Sequence, residues 1–202
     1  MHMLRPAPDA RVSPGWVALL CLLLASCATL HPTSPPAWIE RRGQLQAISD
    51  FHLSGRLAVA TGADGFSAGL DWAQHAGDSQ LQLRAPLGLS AGSIEYNAGA
   101  LTVHTAQAQL SGDAASAELE REFGMEPPLA SFHYWLLGVS DPASVADEHL
   151  DEQQRLIHLV QSGWHVDYSD YVDSGGRWLP GKITLQSGSV RLKLVINSWQ
   201  VP

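Results

Sequence analysis

The sequence predicts a mainly β protein with a few α-helices, built as one strongly curved antiparallel sheet that the helices close over. Between Phe51 and about Val103 the chain runs as short alternating stretches, FHLSGRLAVA, GFSAGLDWAQ, SQLQLRAP, LSAGSIEYNAG and ALTVHTA, separated by glycine. Period-two alternation between turn residues marks strands with one covered face. Two helix-like stretches follow, and the strand pattern returns after Pro142. An order of strands, helices, strands fits one covered sheet, whereas a βαβ fold would alternate the two.

Taken in order, WIERRGQLQAISDF carries Trp38, Leu45, Ile48 and Phe51 at near-helical intervals, which predicts an N-terminal helix lying over the sheet. After the first meander, SGDAASAELEREFG predicts a helix with Asp113 as its cap and Leu119 and Phe123 on its apolar stripe. A second helix is expected in PPLASFHYWLLGV. Its Leu129, Phe132, Trp135, Leu136 and Val139 form a face broader than one covered side requires. RLIHLVQSG, WHVDYSDYV, GKITLQSG and VRLKLVINSWQ then read as further strands.

Composition narrows the function. The net charge is -8, and Lys182 and Lys193 are the only lysines, which argues against a nucleic-acid binder, since phosphate contacts need a concentrated basic surface. No dinucleotide or zinc-helix motif is present, GRWLPGK at 176–182 is followed by Ile183 where a phosphate loop carries Ser or Thr, and GFSAG at 65–69 and GLSAG at 88–92 fit GxSxG by letter but lack its strand–turn–helix setting. Nine histidines are scattered, His133 and His165 being the two beside tryptophan-bearing segments. Asp167 and Asp170 flank Tyr168, but their odd spacing on a strand sends them to opposite faces. No catalytic residue, metal site or cofactor is therefore expected. The large apolar groups are more informative: Trp72, Trp135, Trp164, Trp178 and Trp199 recur through the domain. Core packing satisfies each of them. A curved sheet too wide to fill with side chains would instead enclose an apolar cavity suited to an acyl chain.

Residues 16–27, WVALLCLLLASC, follow a basic start (Arg5, Arg11) and a Pro14-Gly15 pair. The run is shorter than the roughly 17–25 residues a membrane span needs, and the HPTSPP beyond cannot extend it. Its end, Leu24-Ala25-Ser26-Cys27, resembles the bacterial lipoprotein processing signal, although an ordinary secretory signal also fits the segment. The resemblance implies a signal peptide over 1–26, a thioether-linked diacylglyceryl group and an acylated amine on Cys27, and a lipidated cysteine and flexible tether over 27–37. Residues 38–202 would then form a single folded domain. Several acyl chains give a stable anchor where one does not. In proteobacterial lipoproteins an aspartate after the cysteine commonly holds the product at the inner membrane, so Ala28 implies export to the outer membrane. Cys21 falls in the removed segment, leaving no cysteine for a disulfide or for thiol chemistry.

The whole mature chain resembles the LolB family, the outer-membrane lipoprotein receptors of the bacterial lipoprotein-localisation system. The matching stretches are FHLSGRLAV, DWAQ, LQLRAPLGLSAG, GMEPPLASFHYWLLGVSDP, LVQSGWHVDYSDY, WLP and VRLKLVINSW. Their number, order and spacing carry the resemblance. It implies a half-open antiparallel β-barrel of about eleven strands with a helical lid over an apolar cavity. It also implies a monomer, anchored by lipid in the outer membrane of a Gram-negative bacterium and facing the periplasm. Such a receptor takes acylated lipoprotein cargo from a LolA-like periplasmic carrier and inserts it among outer-membrane phospholipid, in the inner leaflet, without nucleotide hydrolysis.

By motif match the membrane-insertion loop is Pro86, Leu87 and Gly88, with Leu87 at its apex. Leu89 either joins it or points back toward the cavity. Cargo-binding candidates are Trp72, Leu83, Ile94, Leu136 and Trp164, each of which core packing explains equally well. Arg56 is a further candidate that organises the barrel, touches cargo or carrier, or is an ordinary surface arginine. Lys193 and Trp199 are expected to fix the barrel seam. The glycine-rich TGADGFSAG departs from relatives and leaves the hairpin length open. Two other readings stay in view: a structural envelope lipoprotein and an envelope acyl hydrolase.

Overall fold

The computed structural model describes residues 36–85 and 90–202. Helix α1 (Pro36–Gln46) precedes six strands: β1 (Asp50–Thr61), β2 (Asp64–His75), β3 (Asp78–Arg84), β4 (Ser90–Asn97), β5 (Ala100–His104) and β6 (Gln109–Ser111). Helices α2 (Asp113–Phe123) and α3 (Leu129–Leu136) come next. The chain then forms β7 (Ala146–Leu150), β8 (Leu156–Gln161), β9 (Trp164–Ser169), β10 (Val172–Ser174), β11 (Arg177–Leu179), β12 (Lys182–Ser187) and β13 (Val190–Gln200). Eleven strands form one antiparallel sheet in the order β6-β5-β4-β3-β2-β1-β13-β12-β9-β8-β7, and β10 and β11 form a separate hairpin. Because β6 and β7 are both edges, the sheet is half-open, as expected. One compact unit, Ala37–Pro202, contains every strand and the buried core.

The last strand does not close a barrel; it joins two meanders in the middle of the sheet. β13 pairs β1 on one side and β12 on the other, so Leu194 lies level with Leu57 and with Ile183. Alternation makes the inner face. In β9, Trp164, Val166 and Tyr168 are buried while His165, Asp167 and Ser169 are exposed. In β13 the buried set is Val190, Leu192, Leu194 and Ile196. The register then slips between Ser54/Gly55 and their partners, leaving Asn197 as an extra residue. This bulge resets the phase and brings Trp199 to the same side as Ile196, where it meets Phe51 edge-on at 5.7 Å and donates to the Pro180 carbonyl at 3.0 Å. Gly55 is required at that slip, since a Cβ there would stand 2.3 Å from the Val195 carbonyl oxygen.

The helices are shorter than the sequence suggests. α1 stops at Gln46, so Ile48 falls in the connection and Phe51 on β1. Ser49 and Asp50, residues whose side chains compete with helical bonding, stand between. Phe51 still reaches the core, because the three-residue intervals that suggested a helix were met by a helix followed by a strand. Asp113 is the first residue of α2 and not its cap; Gly112, at φ 57, holds the cap position without a side-chain bond. α3 ends at Leu136, and the chain turns through Gly138 (φ 74) with Val139 N–H bonded to the Tyr134 carbonyl at 3.2 Å. That left-handed turn keeps Val139 buried although it is no longer helical.

Candidate functional site

The curled sheet and its helices enclose an apolar cavity. Leu57 on β1, Trp72 on β2, Leu83 on β3 and Ile94 on β4 form one wall, and Ile183 and Leu194 form another. Phe132 and Leu136 of α3 and Phe123 at the end of α2 make the roof. Every lining side chain is apolar, and the cavity volume is about 30 Å³. That is room for about one water, and apolar cavities stay dry; ligand pockets run to roughly 300–1,000 Å³. The cavity in this conformation is too small for an acyl chain.

Beside it lies an open cleft of about 480 Å³, between α2 and the ends of β2 to β5. Its apolar side is Phe66, Val103 and Leu119, and its rim carries His104, Glu118 and Arg121. Leu83, Ile94 and Phe123 line both spaces. These three side chains are the partition, and Phe123 is held against Phe66 by an edge-on contact at 5.7 Å. Displacing Phe123 would join cleft to cavity.

The two roofing helices are fastened differently. α3 is tied by buried polar bonds. Trp135 Nε1–H donates to Gln161 Oε1 at 2.7 Å, and the same oxygen accepts the Asp141 N–H at 2.9 Å. Gln161 Nε2 donates to the Asp141 and Ser144 carbonyls at 2.8 and 2.9 Å. An aromatic cluster surrounds them: Phe132 lies 5.5 Å from Trp135 and 5.8 Å from Trp164. Beyond it, Glu148 accepts from Trp38 at 2.8 Å, Arg42 at 3.1 Å and Ser140 at 2.5 Å, which fastens α1 to β7. His133 donates from Nε2 to the Ile48 carbonyl at 2.8 Å. Burial lowers its imidazole pKa below the usual value, because desolvation disfavours the charged ring. α2 has no comparable tie among the described residues. It packs through Ala115, Leu119 and Phe123, and its Arg121 pairs only within the helix, with Glu118 and Glu122.

Of the residues singled out in the sequence, Trp72, Leu83, Ile94 and Leu136 line the cavity. Trp164 is buried behind the roof, against Phe132 and Trp135. Arg56 faces away from the cavity, into a groove on the outer surface of the sheet. Cys27, Pro86, Leu87, Gly88 and Leu89 lie outside the described residues. His165 is on the outer face beside His158. Asp167 pairs with His158 and Asp170 with Lys182, so the two carboxylates do not converge. Among the described residues no group of histidines and carboxylates is placed to hold a metal. Sequence reasoning did not single out Leu57, Phe123 or Leu194 as lining. Their signal was the same alternation that marks an ordinary core.

A half-open antiparallel sheet with helices roofing an apolar cavity defines the class of fold to which this chain belongs. The family model described as outer membrane lipoprotein LolB matches residues 49–199, and the chain belongs to that family of non-catalytic outer-membrane lipoproteins. The outer-membrane lipoprotein LolB of Nitrosococcus oceani is 33% identical over 192 residues, covering 92% of this chain and 96% of the relative. Among solved structures, a DUF1329 family protein from Desulfovibrio piger superposes with a TM-score of 0.58 at 9% identity, covering 80% of this chain and 89% of that one. A LolA superfamily protein from Nitrosomonas europaea gives 0.54 at 8% identity, covering 82% and 93%. At such identities these two likenesses concern the fold alone.

Proposed function

We propose that this protein is the outer-membrane receptor that accepts acylated lipoproteins from a LolA-like periplasmic carrier and inserts them into the inner leaflet of the outer membrane. The observation that carries the reading is the wholly apolar cavity, which shares Leu83, Ile94 and Phe123 with an open cleft among the described residues. Acyl chains enter by way of the cleft, displace Phe123 and lift α2. Leaving water drives acceptance: at about 0.8 kcal/mol per buried CH₂, exposing ten methylenes in transit would cost about 8 kcal/mol. Direct handover between carrier and receptor avoids that cost, and no nucleotide is needed. Onward delivery follows from the better solvation of the chains in the bilayer. In this reading residues 1–26 are a signal peptide, Cys27 is the anchor, and Leu87, between Pro86 and Gly88, enters the membrane.

A second reading is favoured by one observation, the small volume of the cavity as it stands. A structural lipoprotein would keep this core filled. Transfer of a radiolabelled acylated lipoprotein from its carrier to residues 28–202, and then to liposomes, separates the two. The receptor reading predicts acceptance by wild type and by Leu87→Glu, with onward delivery only by wild type. Refusal of cargo by a folded wild-type domain would leave the scaffold reading.

A further inference from the structure

On the outer face of the sheet, opposite the cavity, β13, β1, β2 and the end of β3 form a groove of about 470 Å³. Its floor is made of small residues, Ala58, Ser67 and Gly69, and three cations stand around it: Arg56, Arg84 and Lys193. The strand register explains the convergence. Arg84, Gly69 and Arg56 lie on one cross-strand row, which places the two arginines two strand spacings apart, about 9–10 Å. Lys193 is paired with Ala58 one step along, making it the diagonal neighbour of Arg56 at roughly 7–8 Å. Arg84 is engaged by Asp71. Arg56 and Lys193 have no carboxylate within 4.0 Å among the described residues.

In a chain of net charge -8 with 12 basic residues, two unpaired cations over a small-residue floor mark a place prepared for an anion. The guanidinium of Arg56 offers a planar fork that fits two oxygens of a phosphate, and Lys193 supplies a point charge. The bare floor leaves space above the backbone, and the Ser67 hydroxyl is a further donor. Location identifies the source of the phosphate. Ala85 lines both this groove and the cleft, and the apolar sequence Pro86-Leu87-Gly88-Leu89 follows Ala85 in the chain. A groove at the root of that segment lies within reach of the headgroups when the segment meets a bilayer.

We propose that the groove between Arg56, Lys193 and Arg84 binds the phosphate of a membrane phospholipid headgroup and so sets the orientation of the domain on the membrane. The proposal rests on the receptor reading for its membrane setting. It adds a polar contact that reads the headgroup, separate from the acyl-binding cavity and from Leu87.

The test is flotation of residues 28–202 with two sets of vesicles: phosphatidylethanolamine with phosphatidylglycerol, and an uncharged galactosyl diacylglycerol that lacks phosphate. Each cation held at an anionic surface contributes about a five-fold gain in binding, so Arg56→Gln/Lys193→Gln should weaken binding to the phosphate-bearing vesicles by about 20- to 30-fold. It should leave binding to the phosphate-free vesicles and the thermal midpoint unchanged. Arg56→Lys/Lys193→Arg should keep most of the affinity, and Leu87→Glu should weaken binding to both vesicle sets. Equal binding of wild type and the double Gln variant to phosphate-bearing vesicles would overturn the proposal. So would a double Gln variant that keeps its lipid binding but no longer takes cargo from the carrier, which would make the groove a protein-docking surface. Vesicle binding needs no cargo: a wild type that discriminates between the vesicles yet refuses cargo would retire the receptor reading and leave the groove standing.

Discussion

The two helices over the cavity are held by different physics. α3 is bonded through Trp135 to Gln161, a buried side chain with all its polar atoms engaged, and is packed into a cluster with Phe132 and Trp164. α2 rests on Ala115, Leu119 and Phe123, with no side-chain polar tie to the sheet among the described residues and, where a capping side chain would sit, Gly112, whose N–H donates to the Leu101 carbonyl at 3.2 Å. Directional bonds fix a geometry and are lost together when the partner shifts, whereas apolar contacts can be exchanged for other apolar contacts, including an acyl chain. The end that must stay and the end that can open are therefore distinguishable. The open cleft lies on the α2 side.

Breaking the fixed end should have the largest effect. Gln161→Leu leaves the Trp135 indole N–H, the Asp141 N–H and the Ser144 carbonyl without partners, and the Asp141 carbonyl with only the Ser144 N–H at 3.4 Å, at about 1–3 kcal/mol for each group that stays buried and unpaired. We expect a loss of at least about 3 kcal/mol, a fall of roughly 6–12 °C in the melting midpoint for a chain of this size. An unchanged midpoint would show that α3 is not held in this way.

Leu119→Ala loosens the other end. Its cost in stability should be smaller, about 2–3 kcal/mol, at the low end for a large-to-small core change because the cleft beside it can collapse or hydrate. The informative readout is local. Amides of α2 should exchange with solvent about ten-fold faster than in wild type while those of α3 keep their protection. Equal acceleration in both helices would mean that the roof moves as one body.

The smallest effect concerns pH. His133 lies on α3, and burial lowers its imidazole pKa, against the opposing influence of the Ile48 carbonyl, Asp141 and Asp50. A base whose folded pKa lies below its unfolded value leaves stability intact above about pH 6.5 and erodes it as pH falls below that value toward the folded pKa. Urea midpoints at pH 7.5 and 5.5 should therefore differ for wild type. They should differ less for His133→Gln, which keeps a donor for the Ile48 carbonyl; the same difference in both would place the pH dependence elsewhere.

Alternation made most strands legible, because each buries one face and exposes the other; WHVDYS of β9 reads its burial residue by residue. Trp199 was not readable in this way, since the bulge at Asn197 inverts the phase and a bulge is set by the partner strand. The end of α1 was hidden because Phe51 keeps a helical spacing while sitting on a strand. Trp72, Leu83, Ile94 and Leu136 were legible as apolar positions, but a wall of a cavity and a member of a filled core have the same pattern. Arg56 and Lys193 lie far apart in the chain and meet only through the β1–β13 register. The family resemblance supplied the half-open architecture, which periodicity alone left as a curved sheet with helices over it.

Occupation of the cavity by acyl chains can be read directly from tryptophan fluorescence, since Trp72 and Trp135 line it and Trp178 is exposed on a separate hairpin. Cargo lipoprotein carrying brominated acyl chains, presented by the carrier, should quench the emission of wild type and of Trp178→Phe. The quenching should fall markedly in Trp72→Phe/Trp135→Phe, the remainder coming from Trp164 behind the roof. Quenching that persists undiminished in the double variant, or its absence from a wild type that has taken up cargo, would place the acyl chains outside the cavity and contradict the proposed mechanism.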